Sequence, residues 1–271
     1  MSENWPWSLD HPDYQRFVAE FWKTYTQQAV HFARIAEDEG VLMYSLGTET
    51  DYLFRTRSGD FWPNHFGQEL KLMVDSVRSV YSGLLTYDMH TSVFLWPDDY
   101  GPGSDHLWED LDLDIIGISA YFPITDAAPT SVISVADVQA RYNEIFDQHL
   151  KPLAKRNPTK PILFLEFAAQ DDVAAPSLLG YSHFSQYIFT DADGNGLDDG
   201  EETQANIYQG LINAVNDNPK LVNGAFFFDN WITTEELWNE WWVYHRSLSI
   251  KGKLAEDVIR TTYESYKSKD K

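Results

Sequence analysis

The sequence predicts an α/β fold with about five parallel strands, and three observations carry that reading. Apolar runs such as KPILFLEFA (160–168) and GAFFFDNW (224–231) alternate with helical patterns at intervals of roughly thirty to fifty residues. Runs this uniformly apolar suit strands covered by helices on both faces, where crossover connections pair them in parallel. The third observation is compositional: 271 residues, 43% hydrophobic and 15% aromatic, are enough to bury a substantial core.

Each element follows in order. Residues 12–39 form a long amphipathic helix with Phe17, Phe21, Tyr25, Phe32, Ile35 and Ala36 at helical spacing. Pro12 lies near its first turn and Gly40 stops it. The first strand is 42–48. A second helix over about 66–81 turns Leu70, Val74, Val77 and Val80 or Tyr81 to one face. GLLTYDMH (83–90) is the second strand, and a segment rich in Asp, Pro and Gly continues through 110. LDIIGISAYFP (113–123) is the third strand, and a helix near 135–155 leads to the fourth at 160–168. After a long excursion, 169–203, come a helix at 204–217, the fifth strand at 224–231 and a C-terminal helix at 253–267. No short repeat or low-complexity linker interrupts the pattern, so a single domain over 1–271 is expected.

Charge narrows the partners. Forty-two acidic against 20 basic residues give a formal net charge of −22. A nucleic-acid backbone or an anionic membrane would be repelled, and neither is expected as a partner. Without cysteine there is no disulfide framework, no thiolate nucleophile and no Cys-based metal site. The opening MSENWPWSLD has neither a basic n-region nor an apolar h-region, and no later stretch is long and apolar enough to span a bilayer. The expectation is a soluble protein, cytoplasmic or secreted after removal of a signal peptide.

In β/α folds functional groups collect at the C-terminal ends of the strands. Here those ends carry Glu49; then Tyr87, Asp88 and His90; then Tyr121; then Glu166; then Asp229 and Trp231. Two glutamates at the mouths of separate strands match what glycoside cleavage requires. One carboxylic acid protonates the leaving oxygen, and a second, ionised carboxylate attacks the anomeric carbon or activates water. A separation of about 5 Å favours attack and retention of configuration. Their environments must also split the two pKa values, with the acid in a less polar setting and the nucleophile held by donors. Tyr121 is the expected donor to Glu166. Trp231 offers a flat apolar face for a sugar ring, while Tyr87 and His90 are expected to line the sugar site. Asp51 stands two residues past Glu49 and either raises the acid's pKa or points to solvent. Trp5, Trp7, Trp62 and Trp96 suit either subsites or packing, and Trp238, Trp241 and Trp242 suit packing.

YSLGTE after HFARIAEDEG, then LDIIGISAYFP, KPILFLEF and GAFFFDNW, followed by SIKGKLAEDVI, form a series covering residues 12–262. In the same order, it resembles the last five β/α units of retaining (β/α)8 glycosidases, specifically glycoside hydrolase family 113, the β-mannanases. The resemblance implies an incomplete TIM (β/α) barrel whose five strands correspond to strands 4–8. It implies Glu49 as the acid/base at the end of strand four and Glu166 as the nucleophile at the end of strand seven. Many relatives in the wider clan have Asn just before the acid/base; this chain has Thr48, so recognition of a 2-hydroxyl there is not carried over. Only 48 residues precede Glu49, whereas three β/α units need roughly ninety or more. Strands one to three are therefore expected to be absent, and the exposed edges and apolar surface favour a homodimer.

DADGNGLDDGEE (191–202) has the spacing of a calcium loop. Asp191, Asp193 and Asn195 would supply side-chain oxygens, Leu197 a carbonyl, Asp199 a direct or water-mediated ligand and Glu202 a bidentate carboxylate. Gly196 permits the turn. The ion expected is structural Ca2+, pinning the excursion after the fourth strand. The function expected is a retaining β-glycosidase on β-mannan, β-glucan or small β-glycosides. The alternative is a weakened or inactive carbohydrate-binding remnant.

Overall fold

The computed structural model describes residues 11–50, 67–95, 107–180, 188–228 and 247–269. The expectations for Trp5, Trp7, Asp51, Trp62, Trp96, Asp229, Trp231, Trp238, Trp241 and Trp242 lie outside the described residues. Five strands form one sheet in sequence order, β1 (Met43–Thr48), β2 (Leu84–His90), β3 (Ile115–Ser119), β4 (Ile162–Phe167) and β5 (Val222–Phe227). The chain divides into two compact units, Met1–Ser119 with Leu153–Leu165, and Ala120–Pro152 with Glu166–Lys271.

In the first unit, helix α1 (Pro12–Asp38) begins where the His11 side chain accepts the N–H of Asp13 and Pro12 supplies a preset φ. It ends at Gly40, whose φ of +64° lets the N–H groups of Gly40 and Val41 bond back to Glu37 and Ala36. The helix was expected to bury its phenylalanines. Ala36 of the expected stripe is buried, but Phe17, Phe32 and Ile35 are exposed, and Tyr14, Trp22, Ala29 and Ala33 are buried in their place. Spacing alone could not choose between adjacent stripes. The alanine stripe permits the closer approach, and Tyr44 reaches across to donate its hydroxyl to the Ala29 carbonyl.

Helix α2 (Gly67–Arg78) buries Leu70, Val74 and Val77, as its periodicity predicted, along with Met73, and Tyr81 closes the same core. From Leu85 to Met89 every residue of β2 is buried, and so is all of β3. That is the signature of parallel strands covered on both faces. The β1–β2 ladder slips near its end: Ser45 faces Thr86, but Thr48 faces Asp88. One extra residue is thus inserted on β1 just before Glu49. Such bulges bend a strand and re-aim the side chains that follow.

In the second unit, helix α3 (Val135–Ile145) starts at Ser134, whose hydroxyl accepts the Asp137 N–H at 3.1 Å. It runs into a π-turn (Phe146–Leu150) and a last segment, Lys151–Arg156. Pro152 has no N–H and would crowd the carbonyl four residues earlier, so a wider turn in front of it relieves the clash. Helix α4 (Asp199–Asp217) starts five residues before the expected 204, because Asp198 accepts the N–H groups of Gly200 and Glu201. An amide seam joins α3 to α4, with Gln139 and Asn143 both donating to the Asp217 carboxylate at 2.7 and 3.1 Å. Beneath it, Phe167 meets the Tyr208 ring edge-on at 5.1 Å, and Tyr208 meets Phe227 at 5.3 Å. Helix α5 (Leu254–Lys269) packs against α4.

Candidate active site

Glu49 stands directly after β1, on the far side of the bulge. Its φ of +50° places a non-glycine residue in the left-handed region, a conformation that persists only where the surroundings hold it. Several contacts do so. The Glu49 N–H donates to the Asp88 carbonyl at 2.9 Å. Beside it, the Thr50 hydroxyl lies 2.5 Å from the Tyr87 hydroxyl, and Tyr25 donates to the Leu46 carbonyl at 2.6 Å. A Cβ at Gly47 would collide with the Tyr25 hydroxyl and displace it from the Leu46 carbonyl.

His90, the last residue of β2, brings Nε2 to 4.0 Å from Oε1 of Glu49. Its other nitrogen, Nδ1, accepts the Ser92 N–H at 3.0 Å and lies 2.8 Å from the Ser92 hydroxyl. An Nδ1 that accepts leaves the ring hydrogen on Nε2, facing Glu49. Sequence reasoning picked His90 but missed Ser92, Thr50 and Tyr25. The polar residues adjacent to Glu49 and His90 were the only signal for the first two.

Tyr87 departs from its expected role. It is fully buried, so it supports the turn carrying Glu49 through Thr50 instead of presenting its ring to a sugar. Its place at a strand end suggested the sugar site, but β2 is covered on both faces.

Glu166 occupies the penultimate position of β4, half-buried. Tyr121, two residues beyond β3, donates its hydroxyl to Oε2 of Glu166 at 3.0 Å, and the Ala120 N–H donates to the Glu166 carbonyl at 2.7 Å. Burial pushes the Glu166 carboxyl above the usual range, and the Tyr121 hydrogen bond pulls it back toward the ionised form. A half-buried carboxylate steadied by one phenol retains the nucleophilicity that full solvation would blunt.

Residues 8–234 match Glycoside Hydrolase Family 113. The chain belongs to this family. The family 113 chain is also similar in fold to solved structures. One is a GH113 β-mannanase from Alicyclobacillus acidocaldarius in complex with ManMIm, at 20% identity and a TM-score of 0.64, with 95% of this chain and 66% of that one covered. A second is a GH113 β-1,4-mannanase at 21% identity and a TM-score of 0.62, covering 91% and 63%. A third is a β-glucuronidase from Faecalibacterium prausnitzii, at 12% identity and a TM-score of 0.56, covering 90% and 35%. The chain thus spans just under two thirds of the length of the two mannanases. No curated protein matches it.

The loop at 191–202 of this family 113 chain is closed by its own N–H groups. Asp191 accepts from Asn195 and Gly196, each at 2.9 Å, and Asp193 accepts from Asn195 at 3.0 Å. The Asn195 amide nitrogen lies 3.1 Å from both Glu202 oxygens and 3.3 Å from Asp193 Oδ2, while its oxygen accepts the Leu197 N–H at 2.8 Å. Asp199 accepts the Ala192 N–H at 3.1 and 3.3 Å. Among the described residues no group of three or more His, Asp or Glu is arranged to hold a metal ion. Nor is any described helix long and apolar enough to cross a membrane.

Proposed function

We propose that this chain hydrolyses β-glycosidic bonds, β-mannan first among its substrates and β-glucan or small β-glycosides after it, by a retaining double displacement. Membership of family 113 supports the reaction class. The observation that carries the residue assignment is the Tyr121–Glu166 hydrogen bond, which pulls a strand-end carboxyl that burial raises back toward its ionised form. Glu166 is then the nucleophile. Its carboxylate attacks the anomeric carbon as the bond to the leaving oxygen breaks, and Glu49 gives that oxygen its proton. Water next attacks the glycosyl ester and passes a proton to Glu49, and the bond to Glu166 breaks. The strained backbone at Glu49 and the nearby His90 support its role as acid/base.

The test is a panel of aryl β-mannosides and β-glucosides with wild type, Glu49→Ala and Glu166→Ala. Turnover lost in both variants supports the assignment, provided azide gives the β-glycosyl azide with Glu49→Ala and, by a single inversion, the α-azide with Glu166→Ala. Binding of manno-oligosaccharide without any turnover by wild type would instead mark a carbohydrate-binding remnant.

We also propose that the 191–202 loop takes a structural Ca2+. The Glu202 and Asp193 carboxylates converge on one amide NH2 group, that of Asn195, and Glu202 meets it with both oxygens. A cation in that place would draw in the same carboxylates, and a half-turn of the Asn195 amide would present its oxygen.

A further inference from the structure

Gly180, in the excursion that follows β4, faces a part of the reaction centre that the catalytic proposal relies on. Its φ is +76°, a conformation that side-chain-bearing L-residues rarely adopt. A Cβ there would collide with Cδ1 of the Tyr121 ring and would stand 2.6 Å from Cε1 and 2.8 Å from Cγ. These atoms run along the ring from its attachment point, so the phenol could not swing a free tip aside. The whole ring would have to move.

The excursion is anchored where this contact occurs. The Pro176 carbonyl accepts the N–H groups of Ile124 and Thr125 at 2.7 and 3.1 Å, joining the segment after β4 to the segment after β3. Ala175, Pro176 and Leu179 are buried. The backbone at 180 is therefore fixed against Tyr121 on one side, while the Tyr121 hydroxyl is spent on Glu166 on the other.

We propose that Gly180 is a positioning residue: the excursion uses its bare backbone as a stop behind the Tyr121 ring, and that stop keeps the phenol hydroxyl on the Glu166 carboxylate. This rests on Glu166 being the nucleophile only for its kinetic consequence. The positioning itself can be read from Glu166 titration whether or not the chain turns over a glycoside.

The experiment combines Gly180→Ala, Tyr121→Phe and the double variant, with Glu166 titrated by carbon NMR on glutamate-labelled protein and kcat/KM followed against pH. Gly180→Ala is expected to raise the Glu166 titration midpoint in the same direction as Tyr121→Phe and to lower kcat/KM about tenfold. In the Tyr121→Phe background it should raise the midpoint no further. A wild-type midpoint in Gly180→Ala, or a full extra rise in the double variant, overturns the proposal. If wild type shows no turnover but the midpoints behave as expected, the catalytic reading fails and the positioning stands. If Gly180→Ala does not fold alone, Tyr121→Ala decides. With the ring gone, adding Gly180→Ala should yield folded protein with a small further loss of Tm, and failure to fold there would overturn the ring contact.

Discussion

The Nε2 of His90 faces Oε1 of Glu49 at 4.0 Å, and the Ser92 N–H on Nδ1 fixes which nitrogen carries the hydrogen. A neutral imidazole turned this way aims a donor at the carboxyl without adding a full charge. If Glu49 is the acid, His90 orients the carboxyl that must deliver a proton. His90→Ala is then expected to lower kcat/KM about tenfold for substrates with poor leaving groups, less than the roughly 100-fold or more that a general acid itself contributes. Dinitrophenyl glycosides, whose leaving group needs no proton, should lose much less. His90→Gln, which keeps an N–H near the Nε2 position, should recover part of the loss.

Tyr121→Phe removes a contact that lowers the Glu166 carboxyl against its burial. The carboxyl then titrates at a higher pH, so the ionised form proposed as the nucleophile appears later as pH rises. The acidic limb of kcat/KM should move upward, and the optimum rate should fall about 10- to 100-fold, the usual worth of a hydrogen bond to a charged group. A profile of kcat/KM from pH 3 to 9 checks both.

Glu166→Gln should separate activity from stability. The folded-state pKa of Glu166 is raised, so the folded chain holds that proton more tightly than the unfolded chain. The resulting stability is complete below the unfolded pKa and is lost as pH rises through the folded one. At neutral pH the ionised carboxylate therefore disfavours the fold. The glutamine variant should be inactive yet melt above wild type at pH 7, and the gap should close below about pH 4. Thermal melts at the two pH values read it directly.

Much of this arrangement was legible from local pattern. The apolar runs marked the buried strands, and the ends of those runs marked Glu49, Tyr121 and Glu166. The missing information was nonlocal. Helical spacing found α1 but not which stripe faced inward, because small Ala29 and Ala33 outcompete larger neighbours by allowing a close approach. Its place at a strand end suggested that Tyr87 lines the sugar site, yet a strand covered on both faces buries its ring. The bulge and left-handed backbone that aim Glu49 arise from the β1–β2 register, which no single strand reveals. The Asp198 cap was hidden inside a segment whose spacing also spelled a calcium loop.

A buried ion pair ties the start of the excursion to the segment before α5. Lys253 lies 3.1 Å from Oδ2 of Asp171, which is 2% exposed, and also donates to the Ser247 hydroxyl at 3.0 Å. Asp171 Oδ1 accepts the Ser247 N–H at 2.5 Å. Lys253→Met leaves the Asp171 charge buried without its cation and should cost about 3–5 kcal/mol in urea unfolding. Adding Asp171→Asn removes the stranded charge while keeping an acceptor for Ser247, and should recover more than half of that loss.

Calcium binding gives the 191–202 loop its own prediction. The Asn195 amide bonds now neutralise little of the charge gathered by Asp191, Asp193, Asp199 and Glu202. A cation that binds only the folded loop stabilises the chain by mass action, about 2.7 kcal/mol at a hundredfold excess over its Kd. Millimolar Ca2+ should therefore raise Tm, and excess chelator should return it to the metal-free value. Glu202→Gln should abolish the response, because it removes the carboxylate that meets the Asn195 amide with both oxygens. Mg2+ should substitute poorly, since it prefers octahedral geometry at about 2.1 Å and gives up its waters reluctantly. A melting curve unchanged by Ca2+, with no heat of binding in calorimetry, would leave the loop as a turn closed by its own amides.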